Sequence, residues 1–151
     1  MINKLLIEKK LKKIETFLKE IESAKAPDNF QAFSENIVFK RFTERNIELA
    51  IEQMIDICKH FVSGLDLKEP ETYAECFEIL GEAKVLPVET VDIFRTMVKY
   101  RNLLIHAYDG VDDTITFGIY KKRLGDFRIF IKAVREYICQ EKIQNLNGGS
   151  Q

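Results

Sequence analysis

Residues 114–120, Thr114-Ile115-Thr116-Phe117-Gly118-Ile119-Tyr120, decide the fold class of this chain. Ile115, Phe117 and Ile119 alternate with Thr114, Thr116 and Gly118, and β-branched and aromatic side chains dominate, as in a half-buried strand. A strand must pair its backbone N–H and C=O groups with another strand. No other stretch of the sequence has a matching pattern. The segment is therefore assigned to a helix, and the chain becomes all-α.

The neighbouring segments agree. Downstream, Gly125 and Asp126 interrupt the pattern, and Phe127, Phe130, Ile131, Val134 and Ile138 mark a last amphipathic helix. Residues 145–151 read as a frayed tail. Upstream, Asp112 or Asp113 is placed to cap the 114–120 helix. Before it, a helix opens at Pro87, with Glu89 and Asp92 near its positive end, and carries Val91, Phe94, Met97 and Val98 toward Gly110. Thr72 and Glu75 fit a capping box behind Pro70, starting a short helix that runs to about Ala83.

Earlier still, apolar residues recur at helical spacing from Phe30 to Val62, with Asp28 as a plausible cap and Gly64 as the stop. This run is one helix, or two with a bend near residues 37–40. Ile7, Leu11, Ile14, Leu18 and Ile21 give the first helix one apolar stripe, and Pro27 ends it. The result is a bundle of about five antiparallel helices in a single domain, residues 1–144.

Composition narrows the function. With 151 residues, 46% hydrophobic and 31% charged, the chain can bury one core and keep a solvated surface. A net charge of −1 gives no global attraction to nucleic acid or membrane, so any RNA contact must use a local basic patch. Lys9, Lys10, Lys12, Lys13 and Lys19 are interleaved with glutamates and read as a solvated face. Cys58, Cys76 and Cys139 are scattered and odd in number, which suits reduced thiols in the cytoplasm. No cysteine stands at ligand spacing from His60 or His106, so no metal site is expected. The first ten residues lack a long apolar run, so neither a secretory signal nor a membrane span is expected there.

The two histidines differ. His60, between Lys59 and Phe61, reads as a surface or boundary residue. His106 lies in Arg101-Asn102-Leu103-Leu104-Ile105-His106-Ala107-Tyr108, where cationic, amide and proton-transferring groups crowd into eight positions. On a helix Asn102 and His106 share a face, whereas Arg101 and His106 diverge by about 140°. Three arrangements would still unite them: a helix that loosens before His106, an arginine that reaches round, or a second copy of the helix. Arg41 and Arg45 could lie near the site, or simply form surface ion pairs with neighbouring glutamates. Tyr73 and Tyr120 read as core or interface aromatics.

Arg101 to His106 matches the Arg-x4–6-His motif, and the stretch resembles the Arg-x4-His-x-Tyr form of the HepT toxins within the HEPN families. The resemblance extends to Arg45–His60, to Pro70–Leu80, to Val85-Leu86-Pro87, to Val111-Asp112-Asp113 and to Asp126-Phe127, nearly the whole chain. It implies a HEPN-type helical bundle and a homodimer with the motif helices at its interface. It also implies a metal-independent endoribonuclease toxin of a type VII toxin–antitoxin pair, needing no cofactor. In that picture Arg101, Asn102 and His106 cleave RNA, and an MntA-like nucleotidyltransferase antitoxin transfers AMP to Tyr108. Asp109, Asp112 and Asp113 would serve as a docking surface or as caps. The alternative is a non-catalytic HEPN module that binds and regulates a nucleotidyltransferase.

Overall fold

The stripe Ile7, Leu11, Ile14, Leu18 and Ile21 is buried along one face of α1 (Lys4–Ser23). It packs against α3 (Ile37–Gly64), the longest helix and the axis of the molecule. The computed structural model describes residues 1–107 and 110–148. Between α1 and α3 lies the short α2 (Phe30–Glu35). After α3 come α4 (Tyr73–Glu82), a single 3-10 turn (Val88–Thr90), α5 (Val91–His106), α6 (Asp113–Lys122) and α7 (Leu124–Gly148). All regular structure among the described residues is helical, as the reading of 114–120 requires. None of these helices is long and apolar enough to cross a membrane.

Among the described residues seven α-helices stand where about five were expected: the segments read from the sequence already number six, and Asn36 divides one of them into two. Asn36 both ends α2 and starts α3. Its backbone N–H donates to Ala32 O and Phe33 O, and its side chain accepts from Phe39 N at 2.9 Å. The expected bend near residues 37–40 therefore sits at Asn36. Asn29, not Asp28, caps α2 by accepting from Ala32 N at 2.8 Å.

Thr72 Oγ1 accepts from Glu75 N at 3.0 Å, as a capping box requires. The Glu75 carboxylate, however, reaches past Thr72 to accept from Glu71 N at 2.9 Å. The helix after Pro87 stops at His106, four residues before Gly110, and Ala107 N closes its last turn on Leu103 O. Asp112 caps α6, accepting from Thr114 N at 2.9 Å. The break before α7 falls at Arg123, so Gly125 and Asp126 lie inside its first turn. That last helix continues through 145–148, and its residues from Ile143 onward are exposed.

α6 explains why a strand-like sequence makes a helix. Asp113, Thr116, Phe117 and Tyr120 fall at helical spacing, and each meets a separate partner. Asp113 accepts from Ser34 Oγ at 2.8 Å and from Lys40 Nζ at 3.1 Å. Thr116 is fully buried and shares a hydrogen bond with Tyr100. Phe117 and Tyr120 pack on Phe33 with ring centroids 5.3 and 6.0 Å apart, and Tyr120 also meets Phe39 at 5.4 Å. Such aromatic pairs contribute about 0.5–1.5 kcal/mol each beyond their area burial. A second aromatic cluster, Phe77, Phe94 and Phe130, joins α4, α5 and α7.

Candidate active site

Arg101 lies where α5 crosses α3. Its Nη2 is 3.8 Å from Glu52 Oε1 on α3, and its guanidinium carbon is 5.2 Å from the centroid of the Tyr73 ring at the start of α4. Nη1 donates to Asn102 Oδ1 at 3.3 Å. At 3.8 Å the carboxylate balances charge without occupying a donor in a good hydrogen bond. Nε is buried and has no hydrogen-bond partner among the described residues. The side chain, only 18% exposed, is thus a held cation with donors to spare.

Tyr73, read from the sequence as a core or interface aromatic, does not lie in the core. It is an exposed ring that gathers two cations: Lys59 Nζ lies 4.7 Å from its centroid, beside the Arg101 contact. Electrostatic attraction to the ring face favours both positions. Lys59, Tyr73 and Asn102 line a cleft of about 730 Å³, with Glu69, Glu71 and Cys76 on its other walls. Cys58 and Cys76, far apart in sequence, meet behind it. Burial pushes the Cys58 thiol far up, and a hydrogen bond from Cys58 lowers that of Cys76.

The α4–α5 contact that brings Tyr73 to Arg101 depends on Gly81. A Cβ there would stand 2.7 Å from Val91 Cγ2, so any larger residue would force Val91 to shift. Glu52, Lys59 and Tyr73 were not assigned to the site from the sequence. The available signal was spacing: Glu52 and Lys59 are seven apart and share a helix face.

His106 is the last residue of α5 and is exposed. Among the described residues its side chain makes no hydrogen bond or ion pair. The helix stays α-helical through His106, and Arg101 turns toward Glu52 and Tyr73. Asn102 shares a helix face with His106, yet its amide is engaged by Arg101. Tyr108 and Asp109 lie outside the described residues.

Other candidates fall into place. Arg41 and Arg45 pair with Glu44 and Glu48 at 2.9 and 3.1 Å. Asp112 and Asp113 act as a cap and a tether for α6. Tyr120 sits in the aromatic cluster as expected. His60 is half-buried. Among the described residues no three His, Cys, Asp or Glu side chains converge as metal ligands would. A groove of about 680 Å³ runs between α5 and α6, and exposed Leu103 and Ile115 stand at its edge.

Residues 7–134 match the family described as Ribonuclease HepT-like. The chain is 26% identical over 147 residues to the tRNA nuclease HepT of Aphanizomenon flos-aquae (strain 2012/KM1/D3), spanning 95% of this chain and 97% of that protein. It is also 26% identical over 90 residues to the mRNA nuclease HepT of Shewanella oneidensis (strain MR-1), spanning 60% of this chain and 68% of that one. Among solved structures, the tri-AMPylated Shewanella oneidensis HEPN toxin, determined in complex with MNT antitoxin, superposes with a TM-score of 0.79. That match has 22% identity and covers 89% of this chain and 99% of the other, and it shows a shared HEPN fold.

Proposed function

The chain belongs to the HepT-like ribonuclease family, and from that premise we propose that it is a metal-independent endoribonuclease toxin acting in the cytoplasm. The observation that carries this reading is the state of the motif pair. Arg101 is a restrained cation with unused donors, and His106 is an imidazole open to solvent at the end of the same helix.

The chemistry needs little more. RNA carries its own nucleophile, the 2′-hydroxyl. Neutral His106 takes the 2′-OH proton as the 2′-oxygen bonds to phosphorus, and a charged imidazole protonates the departing 5′-oxygen. The products are a 2′,3′-cyclic phosphate and a 5′-hydroxyl. Arg101 binds the phosphate oxygens and stabilises the charge that builds on them, a task suited to a planar, permanently charged donor. Asn102, bonded to Arg101, orients that guanidinium and the phosphate.

Arg101 and His106 do not converge within one chain, so the site is completed by a second copy with the motif helices facing across a two-fold axis. Exposed Leu103 and Ile105 on the motif helix, 47% and 37% accessible, supply an apolar surface for that contact. In regulation, the Tyr108 hydroxyl attacks the α-phosphate of ATP on a nucleotidyltransferase antitoxin, and pyrophosphate leaves. The bulky anionic AMP then blocks RNA phosphates beside Arg101 and His106.

The test is cleavage of RNA by purified wild-type and His106→Ala protein, with the dimer checked by sedimentation. The expected result is cleavage lost by roughly 10²–10⁴-fold, the range for a general acid or base, with the dimer intact. Wild-type turnover by His106→Ala would overturn the role assigned to His106, and absence of cleavage by the wild type itself would favour a non-catalytic partner of the nucleotidyltransferase. Incubation with that partner and ATP should add AMP-sized mass to the Tyr108 peptide and nowhere else.

A further inference from the structure

We propose that the outward face of α3 is the track for single-stranded RNA, with Arg41 and Arg45 holding phosphates on one side of Arg101, and Lys59 with Tyr73 receiving the strand on the other. This rests on the ribonuclease reading above and names where its substrate runs.

Position on the helix is the first support. At about 100° per residue, residues 41, 45, 52 and 59 fall within a stripe roughly 40° wide. Arg101 is not on α3, but its guanidinium is docked on that stripe at Glu52. The cations therefore follow the helix axis in the order Arg41, Arg45, Arg101, Lys59. The row from Arg41 to Lys59 is about 27 Å long at 1.5 Å per residue, enough for several nucleotides.

Exposure is the second support. Each of the two outer arginines is paired with a glutamate, and in each pair the acid is the covered member. Arg41 is 55% exposed against 14% for Glu44, and Arg45 is 62% exposed against 19% for Glu48. A phosphate arriving from solvent meets the guanidinium first. Arg45 engages its glutamate, and Arg41 its own, through Nη1 alone, so the remaining donors of each fork are open. Exposed ion pairs of this kind are weak and do not compete strongly with a phosphate.

The far end has a different character. Lys59 is exposed and stands over the Tyr73 ring, which is itself exposed at the rim of the cleft containing Asn102. A cation beside a partly exposed aromatic ring suits a nucleotide, whose phosphate meets the amine and whose base meets the exposed part of the ring. That form of contact tolerates any base.

The test compares wild type with Arg41→Gln/Arg45→Gln and with Lys59→Gln. A control, Lys9→Gln/Lys13→Gln, alters the exposed lysine face of α1. Binding of a labelled single-stranded RNA made uncleavable by 2′-O-methyl groups is followed through a salt series, and cleavage kinetics are measured on ordinary RNA. For Arg41→Gln/Arg45→Gln the slope of log K against log salt should fall by about 1.4, the loss of two phosphate contacts. KM should rise with kcat unchanged, as for uniform binding. Lys59→Gln should lower the slope by about 0.7, and the α1 control should match wild type.

An unchanged slope and KM in the double arginine variant would overturn the track. If that variant also lost inhibition by the nucleotidyltransferase, the face would be a protein-docking surface instead, which overturns the proposal equally. Wild-type protein that binds RNA with the expected slope differences but does not cleave it would sink the ribonuclease reading alone. Wild-type protein that cleaves as well as the arginine variant does would sink the track alone.

Discussion

The Tyr100 and Thr116 hydroxyls lie 2.8 Å apart in the buried seam between α5 and α6. One partner directly precedes Arg101, and the other lies within the stretch whose reading decides the fold class. Burial pushes the Tyr100 phenol far above its usual range despite the hydrogen bond shared with Thr116, so the pair stays neutral.

Removing either hydroxyl leaves the other buried without its partner. Tyr100→Phe and Thr116→Val should each cost about 1–3 kcal/mol. The double variant should cost clearly less than the sum, and urea unfolding of all four proteins measures that coupling. Strictly additive losses would mean that the bond contributes nothing.

Glu52 and Tyr73 touch Arg101 without belonging to the motif, so they act as positioning residues. Glu52→Gln and Tyr73→Leu should each lower kcat by roughly ten- to a hundredfold through misplacement of the guanidinium. Their melting temperatures should stay near wild type, because both side chains are partly exposed. Tyr73→Phe keeps the ring and should restore most of the rate. A rate loss in Tyr73→Phe equal to that in Tyr73→Leu would show that the hydroxyl, not the cation–ring contact, matters.

Asp113 should make the protein acid-labile. Burial alone raises its carboxyl, but the hydrogen bonds from Ser34 and Lys40, with the charges of Lys40 and Arg41, outweigh it and hold the group below its ordinary value of 3.8. A folded-state value below the unfolded one stabilises the fold above the unfolded value. That contribution is lost as pH falls through the folded value. Asp113→Asn should therefore be less stable than wild type at neutral pH, and the difference should shrink as pH falls below that ordinary value of 3.8. Thermal melts across an acid series read this directly; a constant difference at all pH values would exclude the charge effect.

Gly81→Ala should destabilise by about 1–3 kcal/mol, since its new methyl would stand 2.7 Å from Val91 Cγ2, and overpacking forces a shift. Val91→Ala removes the obstructing methyls, so Gly81→Ala/Val91→Ala should recover part of the loss. Failure of the second substitution to help would place the strain elsewhere.

Much of this molecule was legible in its sequence because the signals are local. The stripe from Ile7 to Ile21, the Thr72 cap and a cap at Asp112 or Asp113 depend on residues within one or two turns of each other, whereas Pro87 opens a 3-10 turn and the long helix begins only at Val91. Helix count was less legible. Whether Asn36 splits a long apolar run depends on one side chain serving two helices at once.

The motif from Arg101 to His106, and the divergence of its two ends, follow from order along the chain and the helical repeat. The sequence by itself therefore determined the all-α class and the chemical groups available at the end of α5. Tertiary structure decided what surrounds them. Glu52 and Tyr73 reach Arg101 from two other helices, Lys59 stands over the same Tyr73 ring, and a Cβ at Gly81 would crowd Val91 where α4 meets α5. Composition and periodicity report only which face a residue occupies. Which partner lies across that face is set by how whole helices pack, and that depends on the volume of every side chain between them.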